Sequence, residues 1–115
     1  MHVGMSVFFQ NLGTPRSDQD VYAHELSMAD LAEPLGFDSV WAAEHHFTDY
    51  TMCPSVIQFL TWVGARTERV GLGAMIIVLP WHDPVRVAER ARESMLQAPT
   101  ASTFRPRRLS GDYRV

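Results

Sequence analysis

The feature that most constrains this chain is the run Val70 to Leu79, VGLGAMIIVL, ten nearly continuous apolar residues with no helical periodicity. It is far shorter than the roughly 20 residues a spanning helix needs. Bounded by Arg69 and by Pro80-Trp81-His82, it reads as a parallel strand buried on both faces. A parallel strand requires crossover connections, so the remainder of the sequence must supply βαβ units.

It does. Val3 to Phe9, VGMSVFF, is short, apolar and rich in β-formers, and Asp38 to Ala43, DSVWAA, reads as a second strand. Between them Ser17 and Asp20 form a helix-start signature. Val21, Met28, Leu31, Ala32 and Leu35 then follow as one stripe, and Pro34 and Gly36 mark the end. A second helix is expected over Ser55 to Arg66, with Val56, Phe59, Leu60 and Val63 inward. Asp83-Pro84 opens a third as N-cap residue and first-turn proline. Strand starts near 3, 38 and 70 suit right-handed crossovers. The expectation is an α/β fold, a parallel βαβαβα unit of the kind that builds a closed (βα)₈ TIM-type barrel. The open doubly wound sheet uses the same pattern. Three units cannot close a barrel, which takes about 250 residues.

Composition narrows the function. With 46% apolar and 20% charged residues the 115-residue chain is ordinary for a globular domain. A formal charge of −3 provides no electrostatic reason for nucleic acid binding, and no membrane span or secretory signal is evident. A lone cysteine, Cys53, is consistent with a cytoplasmic location. Charge shifts along the chain: residues 1–90 hold eleven acids and five arginines, whereas residues 91–115 hold two acids and five arginines. That change sets an expected boundary near 90, followed by a divergent, poorly ordered tail over 91–115.

Parallel α/β folds gather chemistry at the carboxyl ends of their strands. Glu44-His45-His46 follows the second strand, Gln10-Asn11 the first and Trp81-His82-Asp83 the third. Adjacent histidines on an extended backbone point to opposite faces, so His45 and His46 are poorly placed to chelate one ion together. HExxH and spaced Cys/His clusters are absent, and no metal is expected. A histidine here suits general acid/base work, and satisfying loop carbonyls is the alternative. Gly71-Leu72-Gly73 lacks the third glycine of a dinucleotide fingerprint and sits inside a strand, so close packing against neighbouring backbone is the favoured reading. Cys53, next to Pro54 and without a basic partner, reads as a packing residue.

The segments FDSVWAAEHHFTDYTMCPSVIQFL and RTERVGLGAMIIVLPWHDPVRVAER together closely resemble the bacterial luciferase-like flavin monooxygenases, over about Val3 to Arg90. The resemblance implies a (βα)₈ barrel that binds reduced FMN and uses oxygen to oxygenate a small organic substrate, with electrons from a separate flavin reductase. It implies that His45 is catalytic and close to the flavin, and that Glu44 orders the same strand end. It further implies that the segment Ala74, Met75 and Ile76 supports the isoalloxazine ring, often through a non-prolyl cis peptide. Gln10 and Asn11 are candidates to line the mouth. Relatives on this barrel also use deazaflavin for hydride transfer, which is the alternative enzyme reading. A non-catalytic remnant or flavin-binding module, and a homo- or hetero-oligomer, are further alternatives. Luciferases proper carry a histidine immediately before the proline that opens the third helix. Here Asp83 takes that place with His82 one residue earlier, which points to a non-luminescent relative. After Arg90 the family pattern is not continued, and a truncated or frame-shifted coding sequence is the expectation for residues 91–115.

Overall fold

The computed structural model describes residues 1–13 and 15–97, with 94–97 as helical backbone only. Its elements are β1 (Gly4–Val7), α1 (Asp18–Ala32), β2 (Ser39–Ala42), α2 (Val56–Gly64), β3 (Gly71–Ala74), a 3₁₀ turn at Leu79–Trp81 and α3 (Pro84–Gln97). All pairing is parallel, in the order β1-β2-β3, with Gly4 opposite Ser39 and Ser39 opposite Gly71. This is the βαβαβα unit expected from the sequence. The expected boundary at 90 falls within α3, and residues beyond 97 lie outside the described residues.

Register and pleat divide the sheet into two chemically different faces. Met5, Val7, Val40, Ala42, Leu72 and Ala74 share the face packed against α1 and α2, where Val7, Val40 and Ala42 join Val21, Ala29, Val56 and Val63 in one core. The opposite face carries Gly4, Ser6, Ser39, Trp41, Gly71 and Gly73. Trp41 lies across this face, its Nε1–H donating to Ser39 Oγ at 2.8 Å. A Cβ at Gly73 would fall 2.3 Å from the indole, and one at Gly4 would fall 2.9 Å from it. The glycines of VGLGA therefore make room for a tryptophan side chain. The close approach expected from sequence is real, but its partner is an indole and not backbone.

Two elements depart from expectation. The inward stripe of α1 is Val21, Ala29 and Ala32, whereas Leu31 and Leu35 are exposed. Small alanines let the helix axis approach the sheet, and a 3.6-residue period alone does not choose between neighbouring stripes. The apolar run also leaves the sheet after Ala74 instead of continuing to Leu79. Met75 N–H still bonds Ala42 O at 2.8 Å, but β2 itself ends there, and Val78 N–H goes to the Glu44 carboxylate at 3.0 Å. A strand without a ladder partner has no reason to remain one.

The capping box at Ser17 and Asp20 forms as its spacing predicts. At the other end of α1, Gly36 takes φ +82° and lets Phe37 N–H reach back to Ala32 O, 3.0 Å away. Asp83 caps α3 through Arg86 N–H at 3.0 Å. No helix among the described residues is long and apolar enough to cross a membrane.

Candidate functional site

The segment after β2 forms the site. Ala43 and Glu44 continue inward from the strand end, and Glu44 is the most deeply buried carboxylate among the described residues, its side chain 1% exposed. One oxygen, Oε1, accepts the Val78 N–H and lies 2.8 Å from His82 Nε2 and 3.2 Å from His46 Nε2. With both imidazoles in the Nε2–H tautomer each donates to that oxygen. Burial alone would raise the Glu44 carboxyl. The hydrogen bonds from His82, His46 and Val78 outweigh it and hold the group below its ordinary value.

The rings are held from the other side as well. His46 stacks on Trp81 with centroids 5.3 Å apart, and Phe47 meets the same indole edge-on at 5.7 Å. Phe47 adopts φ +55°, the one non-glycine residue in the left-handed region among the described residues, with its side chain exposed.

His45 takes no part in this cluster. Its backbone N–H bonds Cys53 O at 3.0 Å, its ring meets Tyr50 edge-on at 5.7 Å, and the residue is exposed at the strand-end mouth. The two adjacent histidines thus separate, as the alternation of an extended chain requires. Of the expected flavin shelf, Ala74 packs its side chain toward the helix-covered core, Met75 is partly buried and Ile76 is exposed. The described residues contain no cis peptide. Asn11 is drawn away from the mouth, its side-chain amide donating to Arg16 O and to Asp18 Oδ1 at the start of α1. Cys53 is buried, and burial pushes its thiol up to about 11, in keeping with a packing role.

His46 and His82 are the partners that sequence reasoning did not assign. The signal for His46 is its spacing of two from Glu44, which returns it to the same side of an extended chain. The signal for His82 is its place at the neighbouring strand end. Glu44, His46 and His82 each offer one ligand atom, and the three atoms lie within 4.8 Å of one another, a ligand set of the kind that binds divalent metals.

Comparison with known proteins places this geometry in a family. The family model for luciferase-like monooxygenases matches residues 1–93. The alkanal monooxygenase alpha chain of Photorhabdus luminescens is 32% identical over 73 residues, 64% of this chain and 20% of that protein. Limonene 1,2-monooxygenase of Rhodococcus erythropolis is 33% identical over 75 residues, 64% of this chain and 19% of that protein. The crystal structure of monooxygenase RslO1 from Streptomyces bottropensis superposes with a TM-score of 0.78 at 27% identity, covering 85% of this chain and 30% of that one. The oxygenating constituent of 3,6-diketocamphane monooxygenase from Pseudomonas putida, solved in complex with FMN, shares the fold at a TM-score of 0.75 and 19% identity. The chain spans about a fifth of the length of the curated relatives it matches. The three βα units correspond to the N-terminal part of those barrels, and the chain belongs to the luciferase-like monooxygenase family.

Proposed function

We propose that the chain supplies the flavin-facing N-terminal units of a monooxygenase that uses reduced FMN and oxygen to oxygenate a small organic substrate. The observation that carries this reading is the split of the two histidines. His46 is committed to Glu44, whereas His45 stands exposed at the strand-end mouth, free to meet a ligand. A flavin ring needs a flat apolar wall with polar groups at one edge. Met75 and exposed Ile76 offer such a wall on the neighbouring strand end, and His45 offers the polar edge. When bound, reduced FMN would supply the oxygen-activating chemistry. His45 would hold or deliver a proton at an imidazole nitrogen, while Glu44 keeps the two strand-end loops together so that His45 stays in place.

Two further points support the reading. The trigonelline monooxygenase of Acinetobacter baylyi, 22% identical over 91 residues, is named as flavin-dependent and as an oxygenase component. A component of that kind implies a separate reductase as partner. The test is a titration of the purified chain with reduced FMN, followed by oxygen uptake. Stoichiometric binding and uptake above the chain-free rate are expected, and His45→Ala should lower the uptake by about 10²-fold or more while binding persists. Uptake unaffected by His45→Ala, or an absence of flavin binding by the folded chain, overturns the reading. Deazaflavin reduction without oxygen uptake would replace it with hydride transfer.

A further inference from the structure

We propose that Glu44, His46 and His82 form a binding site for a divalent transition-metal cation of the zinc type. Two imidazoles and one carboxylate are the protein ligands of open, four-coordinate zinc sites, in which water takes the last position. Bonds of about 2.0–2.2 Å at tetrahedral angles set ligand atoms roughly 3.3–3.5 Å apart. The two edges from Glu44 Oε1 to the Nε2 atoms measure 2.8 and 3.2 Å, and the three residues offer one ligand atom each within 4.8 Å of one another. Along those two edges a cation needs shifts of only a few tenths of an ångström, and each imidazole must carry its proton on Nδ1 so that the Nε2 lone pair is free to bind it.

The set is held for the purpose by its surroundings. Val78 N–H fixes the carboxylate oxygen, the Trp81 indole fixes the His46 ring, and His82 N–H bonds Leu79 O at 2.9 Å. The carboxylate is 1% exposed, but the imidazoles are 16% and 18% exposed, so the cluster keeps one side open to water. Buried charges in proteins are paired or coordinate metals. A divalent cation on Glu44 Oε1 supplies the positive partner that this buried carboxylate calls for. The adjacency of His45 and His46 argues only against those two acting together. The ligand set skips His45 and takes its second imidazole from the next strand end. The ligand set leaves out His45, the residue assigned to the flavin edge, and does not require that flavin bind.

The test uses the chelator-treated chain, titrated with Co²⁺ and then Zn²⁺, with stoichiometry read by calorimetry and histidine ring resonances by NMR. One equivalent of Co²⁺ is expected, with visible absorption of a tetrahedral centre that Zn²⁺ abolishes. Zn²⁺ should move the His46 and His82 resonances and leave those of His24 and His45 in place. His46→Ala and His82→Ala should each weaken binding by at least about tenfold, whereas His24→Ala and His45→Ala retain it. Binding should also weaken as pH falls, because all three ligands must be unprotonated. The unsubstituted chain carries the NMR readout, so a variant that fails to fold leaves the test intact. Absence of a stoichiometric site, or Zn²⁺ shifts spread equally over all histidines, overturns the proposal.

Discussion

Single atoms decide the two most informative positions. At Gly73 the missing Cβ is what lets Trp41 lie flat, since an added methyl would sit 2.3 Å from the ring. Gly73→Ala should therefore destabilise the chain by about 1–3 kcal/mol through displacement of the indole. In a Trp41→Leu background the same change should cost much less. Urea midpoints of the four proteins in that cycle measure the coupling, and additive losses would show that the ring is not the obstacle. At Glu44 the folded carboxyl sits below its ordinary value of 4.5, so folding favours its anion. That contribution is complete above about pH 4.5 and is lost as pH falls through the lower folded value. Asp30 and Glu33 are lowered in the same direction, Asp30 by its hydrogen bonds to Arg66 and Glu33 by backbone N–H groups, so acid destabilisation is shared. Glu44→Gln isolates one share: its stability should decline less steeply between pH 5 and pH 3 than that of the parent, as read from urea midpoints. Parallel slopes would mean that Glu44 titrates alike in folded and unfolded chains.

Elements were legible where their cause is local and obscure where it is not. The Ser17–Asp20 capping box, the Asp83 cap and the α2 stripe of Val56, Phe59, Leu60 and Val63 follow from spacings of three and four residues, and all form. The end of β3 does not follow from VGLGAMIIVL, because a carboxylate 34 residues earlier takes the Val78 N–H. The same holds for the site. Glu44 and His45 stand out in the sequence by type and place, but the meeting of Glu44 with His82 spans 38 residues and needs the register of two strands. The start of β3 has a comparable long-range cause. Glu33, the C-cap residue of α1, accepts the backbone N–H groups of Glu68, Arg69 and Val70 on one oxygen, at 2.9, 2.8 and 3.1 Å. Three N–H groups converging on one carboxylate make a turn that the sequence TERV does not specify by itself. Glu33→Ala should cost about 1.5–3 kcal/mol. Amide hydrogen exchange should localise the loss, with Arg69 and Val70 losing protection before the centre of β2 does. Unchanged exchange at those amides would remove the clamp from the account of how β3 begins.

For the molecule as a whole, the decisive fact is that, among the described residues, the helices pack against one face of the sheet. β2 is central, so β1 and β3 each keep one ladder edge unpaired by another strand of the described structure. The uncovered face carries Gly4, Ser6 and a half-buried Trp41. At its carboxyl end stand exposed Phe47, Ile76, Leu79 and Trp81. An edge and an apolar rim on the same side form a surface suited to pairing with more β-structure. The 115-residue chain alone should therefore associate with itself. Sedimentation velocity across the micromolar range should show a weight-average coefficient that rises with concentration. Ser6→Lys places a charge on the uncovered face at the β1 edge and touches nothing in the helix-side core, so it should lower the association without lowering the urea midpoint. A coefficient independent of concentration would show that Trp41 and the strand-end aromatics satisfy this face within one chain. Association undiminished by Ser6→Lys would instead move the contact to the β3 edge, beside Gly73 and the 3₁₀ turn.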